Sequence, residues 1–354
     1  MIFLFIFSKN ITFANKNQVI LLFMNAKIIP MSELYRDRLV AYMHRIFPTY
    51  TDAFIQYEVD EAVCNNELGE KAIIAVNQND QIVGCHFFFI TKAWIHGEES
   101  TACWGYNTYL DKEYRRIVGL DLIVEMTAVK NGFGYGLTDI NYKIQHLVKG
   151  NIFINGLRKY CKITKWFILR KIESYLSNTI QLPLSFPSSI NFGTEEFHLC
   201  QDVNEITIPN GGFWYKTICE VDFIRDYDFL NKRYFHNPVN KYHIYTNHEG
   251  NCYFVIRPIH HRGIIGLQVS DVRYLPTRPE QVQSIFHAIE KICSKMHAGT
   301  LSFTTSDKII KAMYDNKILC NSYPVAFVCG KKNVSSADAY IIVNAADSDD
   351  EYYK

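Results

Sequence analysis

The sequence predicts an α/β (α+β) protein made of two successive halves, each a mixed, mostly antiparallel sheet flanked by helices. Three observations lead there. Apolar periodicity along the first half runs helix, three antiparallel strands, helix, strand, helix, strand. The second half repeats that order with almost no shared residues, so the repeat is architectural. A chain of 354 residues, 48% hydrophobic and 14% aromatic, is long for one core and comfortable for two.

Each element has its own signal. Residues 32–47 read as a helix because Leu34, Leu39, Val40, Met43 and Phe47 recur at helical spacing and Pro48 closes it. The runs 71–76 and 81–91 flank Asn77-Gln78-Asn79-Asp80, which is a hairpin signal. A polar turn at 96–100 leads into a third strand, 101–110. The next helix carries Leu120, Ile123 and Met126 on one stripe and stops at Asn131-Gly132. Residues 135–141 read as a strand, 143–149 as a short helix and 154–165 as a strand. These elements define a first domain at 31–170, behind an apolar extension, 1–30, expected to be disordered or untranslated.

Residues 171–214, with Pro183 and Pro187, read as a connection. A second domain, 215–346, starts with a helical pattern at 221–234 and a hairpin of 241–246 with 252–257. A long strand covers 263–274. Thr277-Arg278-Pro279-Glu280 reads as a capping box for a helix bearing Val282, Ile285, Phe286, Ile289, Cys293 and Met296. A strand at 300–305, a helix at 307–315 and strands at 323–329 and 339–343 follow, and 347–354 form an acidic tail.

Charge narrows the function classes. With 37 basic and 36 acidic side chains the net charge is +1, which gives no footprint for nucleic acid. The ten cysteines include no CxxC pair and fall mostly in apolar runs, as reduced thiols do. The opening MIFLFIF is broken by Lys9 and Asn10, well short of the roughly 20 apolar residues of a membrane helix. No membrane span and a cytoplasmic location are expected. His260-His261 and the acidic tail lack metal-ligand spacing, so no metal is expected.

Chemistry concentrates at 108–126. A strand ends at Leu110, Arg115, Arg116 and Gly119 follow, and an apolar-striped helix begins. Backbone N–H groups gathered at such a helix start bind phosphate. The stretch resembles the cofactor segment of the GNAT acyltransferase superfamily, Arg/Gln-x-x-Gly-x-Gly/Ala after the fourth strand. In one register Tyr114-Arg115 places Val118 and Leu120 in the glycine slots. In the other, Gly119 keeps the first slot and Asp121 takes the second. The element order is also that of the GNAT fold, whose sheet splays between its fourth and fifth strands.

The resemblance implies acetyl-CoA or another acyl-CoA as co-substrate. Its contacts would be Leu110, Arg115, Arg116, the N–H groups of Ile117, Val118, Gly119 and Leu120, and Asn141 at the end of the fifth strand. It also implies a tyrosine acid seven residues after that asparagine, but Val148 stands there. Tyr142 and His146 are the nearby substitutes, and Glu99 is the candidate base. His86, between Cys85 and Phe87, reads as a core histidine. No glycine occurs between Gly266 and Gly299, so the second half is expected not to hold CoA in the usual way.

The tandem pair, with FLNKRYFHNPVNKYHIY and the closing ADSDDE, resembles bacterial double-GNAT proteins of surface-carbohydrate pathways. The expected function is acyl transfer, most simply acetyl, to a primary amine on a small acceptor such as an amino sugar. No nucleic acid partner is expected, and a homodimer is compatible with the sequence. The competing readings are an aminoacyl-tRNA-dependent transferase of the Fem type and a non-catalytic binding module.

Overall fold

Residues 25–64, 67–119, 121–122, 131–176, 185–193, 195–261 and 264–347 are described by the computed structural model. In chain order the strands are β1 (Ala26–Pro30), β2 (Gly69–Asn77), β3 (Ile82–Ile95), β4 (Glu98–Leu110), β5 (Gly132–Tyr135), β6 (Asn151–Ile154), β7 (Arg158–Ile163) and β8 (Ser189–Phe192). They continue with β9 (Glu195–Leu199), β10 (Val221–Phe223), β11 (His243–Asn247), β12 (Tyr253–His261), β13 (Ile264–Arg273), β14 (Thr300–Thr305), β15 (Cys320–Pro324) and β16 (Phe327–Gly330). The helices are α1 (Arg36–Ile46), α2 (Asp52–Val63), α3 (Asp139–Leu147), α4 (Phe167–Leu176), α5 (Tyr227–Leu230), α6 (Gln281–Lys295) and α7 (Lys308–Tyr314).

These strands form two eight-stranded sheets. The first runs β1-β2-β3-β4-β5-β16-β6, with β10 added on β3, and the second runs β15-β7-β14-β13-β12-β11-β9-β8. β4–β5 and β13–β14 are parallel. Read from the other end, the second order has the same parallel pair followed by two strands, with one strand more before it; β10 and β16 of the first sheet and β7 of the second come from the other half of the chain. β16, near the C-terminal end of the described residues, lies between β5 and β6, pairing Phe327 with Tyr135 and with Ile154. β7, from the first half, lies between β14 and β15, pairing Ile163 with Thr300 and Lys162 with Cys320. The bounds 31–170 and 215–346 follow chain order; the sheets do not.

The chain packs as two units. One holds the described residues of Met1–Asn66, Glu70–Phe88 and Asn107–Val129; the other holds those of Glu67–Gly69, Phe89–Tyr106 and Lys130–Lys354. In the first unit Leu110 and Val118 pack with Ala75 and Val83. In the second, Trp104 packs with Phe133, Phe223 and Phe327 on the first sheet. The second sheet buries α6 through Val282, Ile285, Phe286, Ile289, Ile292 and Cys293, which is the stripe its sequence announces.

Several sequence expectations are corrected. Residues 26–30, assigned to the extension, form β1 on the edge of β2. The connection 171–214 contains β8 and β9, which extend the second sheet. α2 was not expected; its N-cap Thr51 accepts from the Phe54 N–H, and its buried face is Phe54, Ile55, Glu58, Val59 and Ala62. The 221–234 pattern divides into β10, α5 and a π-helical turn, Asn231–Phe235. Thr277–Glu280 makes no side-chain cap on α6. The run 154–165 breaks at Gly156, whose φ of +94° turns β6 away from β7. The run 323–329 is the end of β15 and the start of β16, in different sheets. At 339–343 only isolated bridging is seen, Ile341 with Val221. Asp347, given to the acidic tail, is buried. Residues 1–24, most of the helix after Gly119, and 348–354 lie outside the described residues.

Candidate functional site

β4 carries a kink where its sequence turns from aromatic to polar. Asn107, buried inside the strand, has φ +44°. Asparagine tolerates this left-handed conformation better than other residues with a Cβ. α2 holds it there: Asn107 Nδ2 donates to Glu58 Oε2 at 2.9 Å, and the Tyr50 hydroxyl donates to Asn107 Oδ1 at 3.1 Å. On β3 the buried His86 places Nδ1 2.7 Å from the Thr108 hydroxyl. Burial pushes the His86 pKa down to about 3, so the ring is neutral.

The loop after β4 is wound tightly around Leu110. Arg45 Nη2 donates to Asp111 Oδ2 at 2.9 Å, and the Tyr42 hydroxyl reaches Oδ1 at 3.3 Å. Tyr114 N–H donates to the Asp111 carbonyl, and the N–H groups of Ile117 and Val118 both donate to the Tyr114 carbonyl. Arg115 Nε donates to the Leu110 carbonyl at 3.0 Å, and its guanidinium lies 5.9 Å from the Tyr109 ring centroid. Two of the N–H groups expected to meet phosphate are therefore used inside the turn. The Arg115 and Arg116 side chains are exposed. A Cβ on Gly119 would lie 3.5 Å from Leu110 Cδ2, an ordinary contact, so nothing in the protein requires glycine there. Leu120 lies outside the described residues. A cleft of about 660 Å³ beside Asp111 is lined by Arg38, Tyr42, Arg45 and Asp80. Its arginines are already paired, Arg38 with Asp80 and Arg45 with Asp111.

Asn141, Tyr142, His146 and Glu99 belong to the other unit. Asn141 does not close a strand: β5 ends at Tyr135, and Asn141 sits in the first turn of α3, its N–H donating to the capping Thr138 Oγ1. Tyr142 and His146 come together, 4.5 Å apart edge to face, and His146 stacks on Phe153 at 4.1 Å. Glu99 is a solvated residue at the start of β4, 3.8 Å from Lys92 Nζ. Among the described residues, no three metal-ligating side chains cluster.

In the second sheet the space beyond the parallel pair is filled by the chain itself. The β4–β5 register comprises Cys103↔Gly132 and Trp104↔Phe133, while β4 runs on to Leu110. β13 and β14 pair from Gly266↔Thr300 to Val269↔Phe303, and the space beyond is taken by residues 343–347. Asn344 bridges to Thr305, and its Nδ2 donates to Asp271 Oδ1 at 3.0 Å. Arg225 donates from Nε to Asp271 at 2.7 Å and from Nη2 to Asp347 at 2.5 Å. Tyr234 and Tyr253 hydroxyls also donate to Asp271. Burial works to raise the Asp271 pKa, but Arg225 and Arg273 outweigh it and hold the carboxylate ionised.

No described protein family matches this sequence, and no curated protein resembles it. Solved structures do match. The N-myristoyltransferase of Saccharomyces cerevisiae with bound myristoyl-CoA superposes with a TM-score of 0.54 at 8% identity, over 86% of this chain and 82% of that one. A GCN5-related N-acetyltransferase from Kribbella flavida gives 0.52 at 12% identity, over 89% and 72%. A probable N-acyltransferase from Enterococcus faecalis gives 0.52 at 10%, over 86% and 72%. This is the GNAT fold. At such identities the likeness carries architecture and leaves chemistry to the residues.

Within the GNAT fold, sequence reasoning missed Asn107, Glu58 and Tyr50. The signal was there in one form: an asparagine interrupts the run Trp104-Gly105-Tyr106-Asn107-Thr108-Tyr109, where strand propensity disfavours it. Glu58 gave none, because a buried acid in a helix reads as solvated until the strand opposite it is known.

Proposed function

We propose that this chain is an acyl-CoA-dependent N-acyltransferase working through the first sheet, with acetyl-CoA the simplest donor and a small primary amine, such as an amino sugar, the acceptor. The observation that carries the proposal is the left-handed backbone at Asn107 inside β4, followed within a few residues by a loop bearing two exposed arginines. Main-chain N–H groups along such an irregular strand are what an acyl-transfer site would use to polarise a thioester carbonyl. Arg115 and Arg116, both exposed on the loop, are the proposed phosphate contacts. The amine attacks the thioester carbon, the C–S bond breaks, the ammonium proton leaves to water, and the thiolate takes up a proton. Tyr142, in contact with His146, is the proposed donor of that proton. The whole GNAT pair is assigned to the cytoplasm, with surface-carbohydrate synthesis as the setting.

The second reading, a binding module without catalysis, is favoured by one observation: the Ile117 and Val118 N–H groups are spent on Tyr114. Titration calorimetry with acetyl-CoA and myristoyl-CoA separates it from no CoA binding, and transfer assays with amino sugars separate it from catalysis. Arg115→Ala with Arg116→Ala is expected to weaken acyl-CoA binding by about tenfold or more. Gly119→Ala, sterically ordinary in the free protein, is expected to leave the melting temperature almost unchanged. A loss of acyl-CoA affinity in that variant would report a ligand backbone approach at Gly119. If neither acyl-CoA binds at millimolar concentration, the transferase proposal fails.

A further inference from the structure

We propose that α4 and the turn after α7 form a docking surface for an anionic lipid bilayer. α4 is inverted relative to an ordinary surface helix. Ile168 and Tyr175 are 71% and 79% exposed, and Leu169 and Ile172 are also exposed. Ile168, Ile172 and Tyr175 recur at helical spacing on one stripe. Opposite them, Arg170 is 3% exposed.

The inward side is clamped, so the stripe cannot roll under. Arg170 Nε donates to the His297 carbonyl at 2.7 Å, Nη2 to the Met296 carbonyl at 3.2 Å, and Nη1 to Glu173 at 2.8 Å. It thus caps the C-terminal end of α6. Trp166 lies against the His297 ring at 3.9 Å. Gly299 lets the helix approach so closely that a Cβ there would sit 3.3 Å from Phe167 Cα and from Arg170 Cβ.

A second apolar element stands at the same end of β7. The Ile163 N–H, at the last residue of β7, donates to the Leu319 carbonyl. Ile318 and Leu319 are exposed, and Leu319 holds φ +61°, a conformation leucine seldom adopts.

Charge selects the occupant. Lys165 and Lys171 are exposed beside the stripe, whereas Glu173, the one acidic residue of α4, is turned to Arg170. An apolar stripe flanked by lysines and aromatics suits the headgroup region of an anionic bilayer. A second copy suits it less well. A two-fold contact sets the patch against itself and would bring these lysines toward their own copies with no free carboxylate between them. Among the described residues no helix is long and apolar enough to cross a membrane, so the surface would lie on the bilayer.

The test is co-sedimentation of the full chain with phosphatidylcholine vesicles, with and without phosphatidylglycerol. Wild type is expected to sediment with the anionic vesicles, by about tenfold over the neutral ones. Ile168→Ser, Ile172→Ser and Tyr175→Ser together should lower the partition by roughly a hundredfold while leaving the circular dichroism spectrum unchanged. Lys165→Glu with Lys171→Glu should abolish the preference for anionic lipid. The proposal is overturned if wild type stays in the supernatant with both vesicles, or if the triple variant sediments as well as wild type. A wild-type dimer that the triple variant converts to monomer, without vesicle binding, also overturns it.

Discussion

At the scale of single residues, Asn107 and His86 show how β4 is fixed. Asn107 combines a left-handed backbone with two side-chain bonds to Glu58 and Tyr50. Replacing it by alanine or by glycine removes both bonds, but only glycine accepts the φ without strain. Asn107→Ala is therefore expected to be less stable than Asn107→Gly by about 1 kcal/mol, the reverse of the usual strand ranking. Urea unfolding of the two variants checks the order. His86 gives a pH signature. Its folded pKa, about 3, lies below the ordinary histidine value of 6.5, so its contribution is intact above pH 6.5 and is lost as pH falls toward 3. Relative to His86→Gln, the wild type should lose roughly 2 kcal/mol between pH 7 and pH 5. A constant difference over that range would mean the ring is charged or hydrated.

At the scale of elements, the buried cluster at Arg225 decides whether residues 343–347 stay between β13 and β14. Arg225→Leu strands Asp271 and Asp347 without their shared partner and is expected to cost about 3–5 kcal/mol, measured by chemical unfolding. Elements whose burial repeats at one period were legible beforehand. The β2–β3 hairpin was one, from its polar turn; α6 was another, from its unbroken apolar stripe. Failures came where tertiary context overrides local pattern. The residues of β10 follow a helical spacing but are captured by β3 through Val221↔Ile95. Pro324-Val325-Ala326 looked like the middle of one strand, yet it is where the chain leaves one sheet for the other. The loop at 111–119 was found by its arginines; its internal bonding to Tyr114 leaves no trace in residue identity.

At the scale of the whole molecule, the exchanged strands matter most. The first half of the chain does not own a complete sheet. Residues 25–156 lack β16, which separates β5 from β6, and residues 157–347 begin with β7, which the second sheet needs between β14 and β15. A cut at Gly156-Leu157 costs the second sheet no strands, but in the first fragment β6 has no neighbour and β5 pairs only with β4. Expressed alone, 157–347 is expected to retain its sheet by circular dichroism, while 25–156 should aggregate and be rescued by co-expression with the other fragment. Two independently soluble fragments would contradict the exchange.

The placement of β16 also sets a timetable for synthesis. The β5–β6 edge, made early, has no partner until residue 330 has emerged from the ribosome. For most of translation that nascent chain presents an open edge to its surroundings, so holding factors should meet this protein before it meets any substrate.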